Sequence, residues 1–323
     1  MSSIIGLFPS AILMGCTYTL VAIGYSIFFG VLDVVVFCCG DIAMFGAFSV
    51  IGAYTILYSA GVFQALPLIP AILLLLAISA VLCITLGLFT YKVSIKPFEN
   101  SSVLMPLLST IAMGVVIKEV LGLFFQPVVN SAAAAVTAAA AEPLRVVGGR
   151  NPQAMPQFLL YGGGTIMQRD LIIVATTIAI VVLLFLFLNK TKTGLSMQAI
   201  SQNKELALMI GIDVRRTIIM TFVIGSALLA VGGFLLGNYQ TILRFDGGAM
   251  YGSKGFSAAV VGGLKNTWGA VIGGMLLGLV EVYWAGLIPG GTQYQNIIAF
   301  IVVIIFITFK PEGIIGEKSI EKV

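Results

Sequence analysis

Five ionisable side chains lie in or beside the apolar runs of this chain: Asp33, Asp41, Lys118, Glu119 and Glu281. A charge inside a hydrocarbon layer is expensive, so such residues usually face a cavity or a partner. Lys118 and Glu119 are adjacent and point to different sides of a helix, so they are not expected to pair. Near a helix end each can snorkel to the interface. Glu281 lies deeper in its run. It reads first as a structural carboxylate hydrogen-bonded in the interior, which glutamine would replace with little loss, and second as a substrate contact. Nothing here suits hydrolysis or phosphoryl transfer. The chain has no histidine, which removes the commonest metal ligand and a frequent general base. Cys16, Cys38, Cys39 and Cys83 lack metal-ligand spacing and read as buried free thiols. A G-x-x-x-x-G-K-[ST] loop is absent, so ATP binding of the usual kind is excluded. The chain is not expected to be an enzyme, and no cofactor or metal is expected.

The elements that must position these residues are membrane helices. The chain is 59% hydrophobic and 9% charged, with a mean hydropathy of +1.10, whereas soluble domains carry roughly 25% charged residues. Residues 42–91, 217–243 and 282–309 contain no charge. The predicted fold is an all-α polytopic bundle forming one transmembrane domain over residues 1–323. Its eight main segments are 4–29, 34–60, 66–91, 103–125, 170–189, 217–241, 266–286 and 293–309, each near the ~20 residues a span needs. The first basic residue is Lys92, so no cleaved signal peptide is expected. No basic cluster outside the membrane suits a nucleic acid.

Two segments are broken. The run from Val34 to Ala60 is interrupted at Cys38-Cys39-Gly40-Asp41, and Gly255 to Leu264 is too short to span. Paired glycine-bearing breaks in the two halves suggest an internal pseudo-repeat and a transport site near the midplane. The alternative is glycine-mediated helix packing. The predicted translocation path comprises Cys38, Cys39, Gly40, Asp41, Tyr251, Gly252, Ser253 and Lys254, with Glu281 as the deep carboxylate.

A polar island at 190–216 holds Lys190, Lys192, Lys204, Arg215 and Arg216. Basic residues favour the cytoplasm, which puts the island on that side with Lys92, Lys96, Lys310, Lys318 and Lys322. The 126–169 loop then lies outside, despite Arg145, Arg150 and Arg169. Its alanine-rich stretch Ser131 to Ala141 is either a short helix or a disordered insert. Within the island, Ser196 to Ile210 is predicted to be a short helix, capped by Ser196 and ended at Gly211, with Met197, Ile200, Ala207 and Leu208 on one face. An ordered helix in such a loop is a coupling element for a cytoplasmic partner, or an ordinary loop held by its own charges. The residues of the coupling reading are Gln202, Asn203, Lys204, Glu205, Ala207 and Gly211. A proton-coupled carrier needs a relay of acids or histidines. Too few are present, which points to another subunit as the energy source.

Four motifs occur in order. Gly24 to Gly46 reads GYSIFFGVLDVVVFCCGDIAMFG. The island reads Gly194-Leu195-Ser196-Met197-Gln198-Ala199-Ile200-Ser201-Gln202-Asn203, then Ala207, Met209, Ile210, Gly211 and Ile212. Ala258 to Leu264, AAVVGGL, precedes Trp268 to Gly274, WGAVIGG, and then Leu277, Gly278 and Glu281. Phe309-Lys310-Pro311-Glu312-Gly313 closes the series. Over nearly its whole length the chain resembles the permease subunits of bacterial ABC importers for branched-chain amino acids, the high-affinity leucine/isoleucine/valine type. In the first motif Phe37, Gly40, Asp41, Met44 and Gly46 keep the family pattern, while Cys38 and Cys39 replace its usual Ala-His. The 131–150 stretch has no counterpart.

The resemblance implies a permease subunit in the bacterial inner membrane, surrounded by lipid and importing a small polar solute, most simply a branched-chain or other amino acid. It also implies two cytoplasmic ATPase subunits, a second permease chain or a copy of this one, and an extracytoplasmic substrate-binding protein. The island corresponds to the loop that contacts the ATPase. The competing readings are a sugar, nucleoside, urea or amide ABC permease, and a carrier or channel that works alone.

Overall fold

A computed structural model describes residues 2–59, 68–99, 101–139, 153–154, 166–239, 242–243, 245–288, 290–310 and 312–315. In hydrocarbon every backbone N–H and C=O must be satisfied within the protein, and the apolar runs accordingly form helices. They are α1 (Ser2–Leu32), α2 (Cys39–Ser59), α3 (Leu68–Thr90), α4 (Leu104–Ala139), α5 (Ile166–Lys190), α6 (Lys192–Gln202), α7 (Lys204–Met209), α8 (Val214–Tyr239), α9 (Gly248–Gly262), α10 (Thr267–Leu287) and α11 (Gln295–Phe309). Six helices among the described residues are long and apolar enough to cross a membrane, and Cys39–Tyr54 and Gln295–Phe309 are shorter apolar helices. The expected polytopic helical bundle is therefore the fold.

Two boundaries differ from the sequence reading. The first break falls at residues 33–38, and Gly40 and Asp41 already belong to the first turn of α2. Asp41 there favours the positive end of the helix dipole. The run predicted at 103–125 continues to Ala139 as part of α4, because alanine is the best helix former. That settles 131–139 as helix. Residues 140–152 and 155–165 of the predicted outer loop lie outside the described residues, while Gln153–Ala154 pairs antiparallel with Ile242–Leu243.

The chain divides into two compact units. The first is Met1–Val36, Asp170–Gly225 and Tyr251–Val323, and the second is Phe37–Arg169 and Ser226–Met250. In the first, α1 packs along α10. A side chain at Gly278 would collide with the backbone of Met14 and Gly15, and a Cβ at Gly274 would stand 2.6 Å from the backbone of Thr19. Small residues permit this approach, and van der Waals contact then holds the helices. Thr19 Oγ1 donates to the Val271 carbonyl across the same seam. Glycine works similarly between α9 and α10, where Gly273 faces the Ala258 carbonyl. After α11, residues 312–315 return to α9: the amides of Ile314 and Ile315 donate to the carbonyls of Val261 and Gly262 at 2.9 and 3.0 Å.

In the second unit α2 lies against α3 and α4. The hydroxyls of Ser49 and Ser79 lie 2.9 Å apart, and each is within hydrogen-bond distance of the Gly46 carbonyl. Cys83 donates to the Ile42 carbonyl. Among the described residues the four cysteines are buried free thiols, as expected.

The seam gives a direct expectation. Gly278→Val places a branched side chain on the α1 backbone, and over-packing of this kind costs about 1–3 kcal/mol or more. The variant should lose monodispersity and melt well below the parent in detergent. Gly290→Ala, where an added Cβ would meet nothing within 4 Å among the described residues beyond its chain neighbours but φ is +76°, should show only the smaller cost of left-handed backbone.

Candidate functional site

The polar island is more structured than one helix. Thr191 caps α6, its hydroxyl accepting from the Gly194 amide at 3.0 Å. Ser196 is not the cap, since it sits inside α6 and donates to the Lys192 carbonyl. Asn203 then interrupts the chain: its side-chain oxygen accepts from the amides of Glu205 and Leu206 at 3.0 and 3.1 Å, capping α7. The single predicted helix over 196–210 is thus two helices, because an asparagine cap offers the backbone a better partner than helix continuation. Gly211 ends α7 with φ +84°, the left-handed closure expected of glycine.

Met197, Ile200 and Ala207 are buried, and α6 packs against α1. Leu208, predicted on the same face, is instead exposed, because the break at Asn203 turns α7 relative to α6. Leu206, Leu208, Met209 and Ile210 form an exposed apolar cluster, with Met209 83% exposed. Gln202, Lys204, Glu205 and Gly211 surround it, all exposed. In a water-facing segment, an apolar cluster rimmed by polar residues marks an interaction surface.

The second feature is inside the first unit. Glu281 of α10 is 0% exposed and Lys254 of α9 is 5% exposed. Lys254 Nζ and Glu281 Oε1 form an ion pair. Lys254 also donates to the Tyr18 hydroxyl of α1 at 3.0 Å. Glu281 is hydrogen-bonded in the interior, as its depth suggested. Its second oxygen, Oε2, has no hydrogen-bond partner among the described residues, and neither has Trp284 Nε1, three residues further along α10. Tyr251 and Ser253 are half-buried and Gly252 is buried on the same α9.

The remaining predicted path residues belong to the second unit. Cys38 and Cys39 are fully buried, Gly40 is buried, and Asp41 is nearly so. The Asp41 carboxylate occupies space that side chains at Gly114 and Gly248 would fill, and Lys118 is the charge that acts on it. Lys118 and Glu119 do approach each other, at 4.0 Å. The long lysine stem spans what adjacent Cα directions separate, contrary to the sequence reading.

Sequence reasoning missed two participants. Tyr18 sits in an uninterrupted apolar run and carries no signal of its role. Lys265 is the other: it pairs at 2.6 Å with Asp33, one of the five charges named from the sequence.

A family model for the permease component of the branched-chain amino acid transport system matches residues 8–307. The high-affinity branched-chain amino acid transport system permease protein BraD of Pseudomonas aeruginosa is 29% identical over 315 residues, covering 96% of this chain and 95% of that protein. The permease protein LivH of Escherichia coli is 28% identical, covering 97% and 96%. A probable LivH of Methanocaldococcus jannaschii is 28% identical, covering 84% and 81%. No solved structure matches.

The ion pair changes the expectation for Glu281. Removing one partner of a buried pair costs about 3–5 kcal/mol, because the other charge is stranded. Glu281→Gln and Lys254→Met should each lower the detergent melting temperature. The double variant Lys254→Met/Glu281→Leu should recover much of the loss. A double variant no better than the worse single would remove the pairing argument.

Proposed function

Because the chain belongs to the family of branched-chain amino acid transport permease components, we propose that it is the membrane-spanning subunit of an ATP-driven importer of branched-chain amino acids in the inner membrane. ATP hydrolysis resides in two cytoplasmic ATPase subunits. A second permease chain, a homologue or a copy of this one, completes the path, and an extracytoplasmic binding protein delivers the solute. The observation that carries this reading is the exposed apolar cluster Leu206, Leu208, Met209 and Ile210, held outward by an α6 that is itself anchored on α1.

The mechanism follows from the packing of the first unit. An ATPase closing against α7 pushes on α6, whose buried Met197 and Ile200 bear on the bundle. Gly30 of α1 lies against Ser201 of α6, so the push reaches α1. From α1 it passes along the glycine seam to α10 and the Lys254–Glu281 pair. Alternating access is such a rocking of helices around broken segments. Glu281 Oε2 has no partner among the described residues, which supports a path role, since buried polar atoms with only a structural role are nearly always satisfied.

Coupling is tested in the assembled transporter. Gly211→Pro forbids the φ of +84° that ends α7, and Met209→Asp puts a desolvated charge in the contact. Both should insert normally, yet lower ATPase co-purification or solute-stimulated hydrolysis at least tenfold. Wild-type uptake and hydrolysis in both would sink the assignment. For the second unit, an impermeant maleimide should label Cys38 or Cys39 during turnover more readily than Cys83. Inertness of both in every nucleotide state would favour glycine packing over a path.

A further inference from the structure

Two cavities in the first unit meet at one end of α5. The first, about 240 Å³, is polar and lies among α1, α5, α6 and the turn before α10, with Asn189, Gln198, Gln202, Lys265, Asn266 and Ser26 in its lining. The second, about 710 Å³, is a groove along α1, α5 and α10, lined by residues such as Ile12, Val174, Ile178, Val182, Leu186 and Met275. Phe185, Asn189 and Trp268 line both. The rings of Phe185 and Trp268 stack at 3.7 Å and form the shoulder where apolar lining gives way to polar.

The hydroxyls of the groove are spent. Thr177 donates to the Ile173 carbonyl and Thr19 to the Val271 carbonyl. The polar cavity differs. Ser26 is 2% exposed, lines it, and its hydroxyl has no partner among the described residues. A buried hydroxyl without a partner is uncommon, and this one belongs to a residue of the polar lining. Among the described residues the charged ones in the two linings are Lys190 and Lys265, with no carboxylate. Asp33 lies outside both linings and takes one hydrogen bond from Lys265, and an ammonium has three to give.

The geometry points to a specific site for one anionic phospholipid, with its phosphate headgroup where the two cavities meet, Lys190 in one lining and Lys265 in the other, and an acyl chain in the groove. The groove follows α5 from Val174 to Lys190. At ~1.5 Å rise per residue that is about 24 Å, more than the ~15 Å depth of one leaflet. The basic end faces the side on which Lys190 and Lys192 lie, where anionic headgroups are drawn to lysines. Trp268, half exposed at the shoulder, takes the interfacial place typical of tryptophan. The site requires a membrane setting and is independent of which solute is transported.

The test uses the full chain purified in mild detergent without any ATPase. Thermal unfolding is followed while phosphatidylglycerol, phosphatidylcholine or sn-glycerol 3-phosphate is added, and native mass spectrometry counts retained lipid. Phosphatidylglycerol should stabilise with one tightly retained molecule, at a concentration about fivefold below that of phosphatidylcholine, the ratio expected for one surface lysine. Glycerol phosphate should do nothing. Lys190→Gln should raise the half-saturating concentration about fivefold. Ile178→Trp fills the groove from an exposed position and should abolish the retained lipid. Both should melt like the parent without lipid. Equal action of the two lipids, stabilisation by glycerol phosphate, or parental titration in both variants overturns the proposal. So does a dimer that excludes lipid and dissociates in Ile178→Trp, because the groove then holds a second copy.

Discussion

The near-contact of two backbones, α1 and α10, is what the rest of the first unit depends on. Gly274 and Gly278 let α10 settle against Thr19 and Gly15. Tyr18 belongs to the same turn of α1, and Glu281 follows Gly278 by less than one turn of α10. The approach that serves packing thereby also sets the distance across which Tyr18, Lys254 and Glu281 meet. Between hydrocarbon tails and apolar side chains there is little hydrophobic gain to drive association. Shape has to supply it, and a methyl group at either glycine would be enough to remove it.

The chain handles its buried charges in two ways. In the first unit a lysine and a glutamate neutralise one another within a short helix and its neighbour. In the second unit Asp41 sits at the start of α2 between two glycines, with Lys118 acting on it. Asp41 lies in the first turn of its helix, where the dipole favours an acid, whereas Lys254 and Glu281 lie inside α9 and α10 and are met by each other and by Tyr18. The long helix α3 carries none.

Most of the architecture was legible, because apolar runs without charge have few options in lipid. The location of the first break was not. Glycine and aspartate at 40–41 look like helix breakers, yet α2 begins at Cys39 and uses Asp41 in its first turn, where an acid is favoured. The alanines after 130 were ambiguous because alanine marks both low complexity and strong helix propensity. In the island Gly211 was readable from its type alone. Asn203 was not, since asparagine is equally common as a surface residue, and without that break Leu208 was assigned to the buried face. The meeting of Lys254 with Glu281 and Tyr18 is a tertiary fact. Local periodicity places each on a helix but gives no register between helices, so Tyr18 passed as one more apolar side chain.

The return of residues 312–315 to α9 has a bearing on how the molecule is made. The carbonyls of Val261 and Gly262 take their hydrogen bonds from Ile314 and Ile315, which are synthesised about fifty residues later. At ~5–20 residues per second that is about 3–10 s. Throughout that interval the short helix carrying Lys254 lacks its clasp, while α1 is already complete and α10 is made partway through. The C-terminal end of α9 is therefore clasped only after translation has passed α11, and the order of synthesis makes that end of the short helix a late-secured part of this unit.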